Sequence, residues 1–257
     1  MTIGTSKKGN TMRITEPKVT LLAHTMINRE AIAEHMDIQG GSTDAETLTT
    51  FAGRACYQSF HRPNKATFHD ADYLQRTLFE QAHWSIAEHA TATLYFEGVS
   101  RALTHELIRH RHLSYSQLSQ RFVDEGNAAI VIPPAIRDLP GIPYAHTSIF
   151  DYTTLDEVTH NQLDAAAEVA NVTYATLVNT LANQGLPRKQ AREAARAVLP
   201  NMVETRIVVT GNLRAWHEVI QRRTQPDADA EIQQVMNMAK EQLATIAPAL
   251  FDNTPEA

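Results

Sequence analysis

Three stretches of the chain have the pattern of a β-strand, and the intervals between them are too unequal for a regularly alternating fold. Residues 18–23, 90–96 and 203–210 are rich in β-branched and apolar residues. Helical patterns fill the rest, at 43–56, 69–82, 99–112, 154–184, 188–198, 212–224 and 229–250. A doubly wound parallel sheet requires strand and helix to alternate. We therefore predict an α+β fold, a single mixed domain with a central sheet, flanking helices and a long helical insertion.

Proline and glycine mark one long irregular segment, and no linker divides the chain. Residues 124–150 hold four prolines and two glycines, which favours a loop or a set of short turns. Residues 1–15 contain two lysines but lack the apolar stretch of a signal peptide, so we interpret them as a flexible lead-in. The domain is then expected to span residues 16–257.

The charge and the cysteine content exclude several classes of protein. The formal net charge is −6, whereas proteins that hold a nucleic-acid backbone electrostatically are usually basic. Cys56 is the only cysteine, which excludes an intrachain disulfide and a cysteine-based zinc site within one chain. No apolar run reaches the roughly 18 residues of a membrane span. We expect a cytoplasmic protein with no metal, membrane or nucleic-acid partner.

The segment from Arg101 to Arg121 carries the densest chemical signal. It reads RALTHELIRHRHLSYSQLSQR, and on a helix Arg101, His105 and Arg109 would share one face. Hydroxyl and amide side chains follow the basic run, and such groups suit hydrogen bonding to a polar ligand. Guanidinium groups suit bidentate contact with phosphate. The histidine spacing of H-E-x-x-x-H does not fit a zinc helix, and the serines lack a hydrolase elbow.

This segment also resembles the signature of a known family. Arg109-His110-Arg111, seven residues and Ser119 form R-H-R-x7-S, which is similar to the motif of the flavin-dependent thymidylate synthases. Two further blocks agree in order. The upstream one is H-W-S-I-A-E-H at 83–89; the downstream one runs from R-A-V-L-P at 196–200 to N-L-R at 212–214 and Arg223. The resemblance covers roughly residues 50–235.

The resemblance implies a division of roles among these residues. Arg223 would be the catalytic group that stabilises negative charge on the uracil ring. The flavin would be bound by His83, Ser85, Arg109, His110, Arg111, Gln117, Asn212, Leu213, Arg214 and Glu218. The nucleotide would be bound by Glu106, Leu107, Ile108, Arg109, Gln117, Leu118, Ser119, Gln120, Arg121, Arg196 and Arg223. We interpret Arg188 and Arg192 as a solvated stripe rather than as ligand contacts.

The implied reaction is the reductive methylation of dUMP to dTMP. Methylenetetrahydrofolate would supply the carbon and NADPH would reduce the bound FAD. Cys56 lies in a predicted helix without a Pro-Cys motif, so no covalent enzyme nucleophile is expected. Flavin sites shared between the subunits of a homotetramer are expected as well. Two positions depart from the family pattern, Phe122 in place of tyrosine and Glu218 in place of histidine or asparagine.

Two other functions compete with this interpretation. The Arg109–His112 run could lie in the groove of a nucleic acid, although the acidic net charge argues against this. A nucleotide-binding module without catalysis is the second, and the departures at Phe122 and Glu218 leave room for it.

Overall fold

The structure is a computed structural model, which describes residues 13–139 and 155–252. Four strands form one sheet in the order β1-β2-β4-β3: Lys18–His24 (β1), Thr91–Ser100 (β2), Ser114–Gln117 (β3) and Glu204–Asn212 (β4). The pairs β1–β2 and β3–β4 are antiparallel. The predicted mixed α+β class with a central sheet is confirmed.

Ten α-helices accompany the sheet in the described part of the chain. They are α1 (Arg29–Ala33), α2 (Asp44–Tyr57), α3 (Asp70–Leu74), α4 (Arg101–Leu107), α5 (Pro134–Arg137), α6 (Leu155–Asn183), α7 (Arg188–Ala195), α8 (Leu213–Arg223), α9 (Ala230–Ala244) and α10 (Pro248–Phe251). Short 3-10 turns cover Lys65–Thr67, Trp84–Glu88 and Arg196–Val198, and a π-helix covers Gln75–Glu80. Within the described residues no helix is long and apolar enough to span a bilayer.

The chain folds into two compact units, each assembled from separate segments. The first comprises the described residues within 1–16, 98–102 and 118–205, and the second comprises those within 17–97, 103–117 and 206–257. The expectation of one domain over 16–257 stays a prediction. Of the expected lead-in, residues 1–12 lie outside the described residues. The backbone of residues 13–15 is hydrogen-bonded to Ile130, whose carbonyl accepts from Thr15 at 3.1 Å.

The first unit is built around the long helix α6. Tyr174 and Val178 of α6 pack on Ala191 and Ala195 of α7, and all four are buried. The predicted loop at 124–150 contains the short helix α5, and its residues 140–150 lie outside the described residues. The expected helical insertion therefore exists from Leu155 to Asn183.

The second unit holds most of the sheet and the helices that follow β4. Alternate residues of β4, including Ile207 and Val209, are buried, as expected of a strand with one face on the core. Helix α2 begins with a capping box in which Thr43 and Glu46 bind each other's backbone N–H groups. The other carboxylate oxygen of Glu46 accepts the backbone N–H of Ala249 at 2.7 Å, which ties α2 to the C-terminal helix α10.

Three predicted helices end earlier than the sequence pattern suggested. The pattern at 69–82 is α3 followed by a π-helix, in which Gln81 donates to the carbonyl five residues back in Arg76. The pattern at 229–250 breaks after Ala244, because Pro248 cannot continue a helix and restricts the residue before it. The predicted helix at 99–112 is wrong at both ends, since β2 continues to Ser100 and α4 ends at Leu107.

Candidate active site

The Arg109–His112 run lies in a turn after α4, not on the helix. The carbonyls of Leu107 and His110 each lie within hydrogen-bond distance of the Tyr115 hydroxyl, at 2.8 and 2.7 Å. The chain then enters β3, in which Tyr115 lies opposite Val209 of β4. Arg109 is therefore not on a helical face with His105, which corrects the expectation from the spacing.

Arg223, the predicted catalytic residue, is held on three sides at the end of α8. Its Nη1 donates to the Glu106 carboxylate at 2.8 Å and its Nη2 to the Glu106 carbonyl at 3.1 Å. Its Nε donates to Nε2 of His110 at 2.9 Å. A guanidinium has five N–H groups, so two remain for a ligand. This arrangement fixes the orientation of a cation beside the Arg109–Arg111 turn.

The contact with Arg223 also defines the protonation state of His110. Because Nε2 of His110 accepts a hydrogen bond, the ring must be neutral and carry any proton on Nδ1. Burial and the neighbouring charge of Arg223 lower the pKa of His110. At neutral pH the predicted flavin ligand is therefore a neutral imidazole.

A cleft of about 410 Å³ lies beside α8 in the second unit. Its lining includes four of the predicted flavin residues and four others: His83, Ser85, Arg214 and Glu218, with Ala82, Trp84, His217 and Gln221. Arg214 donates to Glu218 at 2.8 Å and to Glu88 at 2.6 Å, so two carboxylates position its guanidinium. The volume falls in the range of about 300–1,000 Å³ that is typical of ligand pockets.

One wall of this cleft is aromatic. The rings of Trp84 and His217 are stacked, with centroids 3.8 Å apart and an angle of 18°, and Phe79 meets both edge-on. Burial lowers the pKa of His217 to about 4, so this histidine is neutral at physiological pH. Sequence reasoning missed Trp84 and His217, because their pairing depends on how α8 packs on the Trp84–Glu88 turn.

A second cleft of about 290 Å³ shares Glu218 with the first. It is lined by Arg109, His110, Arg111, His112, Ala215, Glu218 and Val219. Within the described residues, the guanidinium groups of Arg109 and Arg111 have no hydrogen-bond or ion-pair partner, and both side chains are exposed. Unpaired arginines beside a cleft suit an anionic ligand such as a phosphate. Seven of the ten predicted flavin residues therefore line these two clefts.

Three other predicted flavin residues have structural roles of their own. The side-chain oxygen of Asn212 accepts the backbone N–H of Ala215 at 2.8 Å and caps α8. Gln117 donates to the hydroxyl of Thr104 at 2.9 Å. Leu213 is fully buried, and its backbone N–H donates to the Ala90 carbonyl at 2.9 Å.

The predicted nucleotide residues are distributed over both units. Glu106, Leu107, Ile108, Arg109, Gln117 and Arg223 belong to the second unit, and Leu118, Ser119, Gln120, Arg121 and Arg196 to the first. Leu107 is fully buried, whereas Ile108 is exposed. In the first unit Gln120 is buried, and among the described residues its Nε2 has no hydrogen-bond partner, which is unusual for a buried amide. Arg121 lies 3.8 Å from Glu193, and Arg196 is exposed.

Arg192 is not the solvated residue that the sequence suggested. Its Nη1 donates to the Phe122 carbonyl at 2.7 Å and its Nη2 to Asp124 at 2.9 Å, and its side chain is only 17% exposed. Arg192 therefore holds the Phe122–Asp124 segment. The ring of Phe122 is itself exposed, and its centroid lies 5.8 Å from the guanidinium carbon of Arg121 and 5.1 Å from the Lys189 ammonium.

Comparison with known proteins identifies the family of this chain. The family model described as thymidylate synthase complementing protein, Thy1, matches residues 39–249. A flavin-dependent thymidylate synthase of Mycobacterium marinum is 46% identical over 222 residues, which cover 84% of this chain and 80% of the relative. That of Mycobacteroides abscessus is 47% identical over 213 residues, covering 82% and 81%. The chain belongs to the flavin-dependent thymidylate synthase family. The resemblance found in the sequence is confirmed.

Two solved structures share the fold of this family member. One is the UMP/dUMP methylase PolB from Streptomyces cacaoi bound with 5-Br dUMP, with a TM-score of 0.66 at 21% identity; the alignment covers 94% of this chain and 95% of that one. The other is thymidylate synthase X from Helicobacter pylori with FAD and dUMP, with a TM-score of 0.61 at 18% identity, covering 93% and 98%. At these identities the comparison establishes the fold.

Proposed function

We propose that this member of the flavin-dependent thymidylate synthase family catalyses the reductive methylation of dUMP to dTMP. The observation that carries the proposal is the three-sided hold on Arg223 by Glu106 and His110. These three hydrogen bonds orient the Arg223 guanidinium and leave two of its N–H groups for a ligand. Such a preorganised charge stabilises negative charge that develops in a reaction, because it needs no reorganisation when the charge appears.

The residues that line the two clefts fit a bound FAD. Arg109 and Arg111 offer unpaired cations to an anionic group, and His83, Ser85 and Arg214 offer polar contacts in the larger cleft. The carboxylate of Glu218, common to both clefts, is balanced by Arg214, which reduces its repulsion of a phosphate. When bound and reduced by NADPH, FAD supplies the hydride for the reaction.

The nucleotide would be bound by its phosphate and by its base. Arg109, Arg121 and Arg196 are our candidates for the phosphate, with Ser119 and Gln120 as hydrogen-bonding partners. The unsatisfied Nε2 of Gln120 supports this assignment, since a buried donor without a partner gains most from a ligand acceptor. Ser119 is proposed as a binding residue and not as a nucleophile.

Arg223 would act on the uracil ring. Methyl transfer to C5 needs an electron-rich ring, and a cation beside N3 and O4 stabilises the charge that builds up there. Cys56 is exposed on α2, and its thiol donates to the Ala52 carbonyl at 3.4 Å. It lines neither cleft, which supports a route without a covalent enzyme nucleophile.

The cosubstrates, the assembly and the location complete the proposal. Methylenetetrahydrofolate would supply the carbon and NADPH the reducing equivalents, in a cytoplasmic enzyme. The flavin-binding groups of one chain lie in two modest clefts, and the arginines of the smaller cleft are exposed. A homotetramer with sites shared between subunits would enclose the ligand more fully. A monomer that holds FAD stoichiometrically on size-exclusion chromatography would contradict this part.

Product formation tests the proposal directly. The purified protein is incubated anaerobically with dUMP, methylenetetrahydrofolate, NADPH and FAD, and dTMP is measured by chromatography and mass spectrometry. We expect dTMP when dUMP, methylenetetrahydrofolate and NADPH are all present with the FAD-loaded protein, and none when any one of these three is omitted. Binding of dUMP and FAD without dTMP would instead favour the nucleotide-binding module.

A further inference from the structure

The hydroxyl of Tyr115 contacts the backbone of the arginine-rich turn. Its hydroxyl lies 2.8 Å from the carbonyl oxygen of Leu107 and 2.7 Å from that of His110. The same carbonyls accept the backbone N–H groups of His110 and Leu113, at 3.2 and 3.3 Å. The single phenol proton is shared between two carbonyls that bracket residues 108–110 of the turn.

Tyr115 is itself held in place by the sheet. Tyr115 lies in β3, where it is paired with Val209 in the middle of the four-residue register with β4. Burial raises the pKa of Tyr115 to about 12, so the hydroxyl keeps its proton throughout the working pH range. Tyr115 lines neither of the two clefts. Any influence on a ligand must therefore pass through the turn.

The turn places three consecutive side chains beside the smaller cleft. Arg109 and Arg111 line the smaller cleft, and between them the ring of His110 accepts a hydrogen bond from Arg223. All three side chains line this cleft, so their positions depend on the backbone of the turn. The guanidinium groups of Arg109 and Arg111 have no hydrogen-bond or ion-pair partner in the described residues, so the backbone of the turn determines where they can reach.

We propose that Tyr115 is a positioning residue for the flavin site, which acts by fixing the backbone of the Arg109–Arg111 turn through the carbonyls of Leu107 and His110. The inference rests on the proposed function, in which these arginines bind FAD. The hydroxyl of Tyr115 has this role although Tyr115 lines neither cleft. The hydroxyl touches no ligand in this account.

The test is the rate of FAD release from the holoprotein. Tyr115→Phe removes only the hydroxyl, and we expect release to be about fivefold faster, as for the loss of one net hydrogen bond. Tyr73→Phe is the matched control. Tyr73 is a half-buried tyrosine of the same unit, its hydroxyl bonds the Thr77 side chain, and it lines neither cleft. Release is followed by the rise in flavin fluorescence on dilution, and the melting temperature of each variant is recorded.

A third variant separates this inference from the proposed function. Arg111→Ala should release FAD faster than the wild type if the smaller cleft binds flavin. If Arg111→Ala releases FAD faster while Tyr115→Phe matches the wild type, the positioning role is refuted and the flavin site stands. If both variants match the wild type, the flavin assignment of the cleft itself fails. Equal acceleration in Tyr115→Phe and Tyr73→Phe would reveal a general loss of stability and also refute the positioning role.

Discussion

Replacing Arg223 by alanine should separate catalysis from cofactor binding. The substitution removes the cation and its two spare N–H groups from beside the Arg109–Arg111 turn. Loss of one preorganised donor to a developing charge lowers turnover by about 10²–10³-fold, so we expect at least that fall in dTMP formation. FAD does not depend on Arg223 directly, because this residue lines neither cleft.

The substitution Arg223→Ala also has a structural cost, which is separate from the loss of turnover. Three hydrogen bonds are lost, each worth about 0.5–1.5 kcal/mol in net stability. The carboxylate of Glu106 is 42% exposed, so water can replace its partner and lower that cost. His110 loses the donor at its Nε2 but keeps the backbone contacts of the turn. We therefore expect FAD release to change by less than about tenfold.

The assay compares Arg223→Ala with Arg222→Ala under saturating dUMP and FAD. Arg222 is the preceding residue of α8, it is exposed, and its replacement changes the net charge equally. Initial rates of dTMP formation and the flavin content after gel filtration are measured for both. Normal turnover of Arg223→Ala would refute its catalytic role. A loss of flavin from this variant alone would show that the residue supports the cofactor instead.

The remaining predictions concern stability and the nucleophile. The lowered pKa of His217 means that the unfolded chain takes up the proton first, so stability is lost as pH falls from about 6.5 towards 4. Between pH 7 and 5, the free energy of unfolding in urea should fall by about 2 kcal/mol more for the wild type than for His217→Phe. An equal fall in both proteins contradicts this. Gly98→Ala should lower stability by more than about 2 kcal/mol, because φ is +64° and a Cβ would overlap the Glu16 carbonyl oxygen. Gly185→Ala, at φ +94° with open space, should cost only about 1 kcal/mol in the same thermal-unfolding assay. Cys56→Ser should retain full dTMP turnover, and a large loss would revive a covalent route.

Local sequence signals were sufficient for much of the fold. The helix predicted at 43–56 is α2 over Asp44–Tyr57, and Thr43 caps its N-terminus. The strand predicted at 203–210 is β4 over Glu204–Asn212. These elements follow from periodicity and caps, which act over a few residues and can be read from the chain directly.

The sequence failed where distant pairing decides the structure. The pattern at 99–112 predicted one helix, but α4 ends at Leu107 and Ser114–Gln117 forms a strand paired with the distant β4. For the same reason the spacing of Arg101, His105 and Arg109 was misleading. The break before α10 had a local signal in Pro248, which disfavours a helical residue before it.

The candidate site was predicted as a set of residues rather than as a geometry. The family motif identified Arg109–Arg111 and Arg223, but nothing in their spacing indicated that His110 and Glu106 would hold Arg223. The stack of Trp84 on His217 and the anchor at Tyr115 depend on packing between segments far apart in the chain. Such contacts become visible only in the folded chain.

The visible absorbance of the purified protein, recorded anaerobically before and after NADPH, with and without dUMP, tests the central claim most directly. We expect the flavin spectrum of bound FAD, bleached by NADPH, and bleached faster when dUMP is present. That result would join reductant, flavin and nucleotide in one functional unit. A colourless protein that takes up no added FAD and does not respond to dUMP would contradict the account.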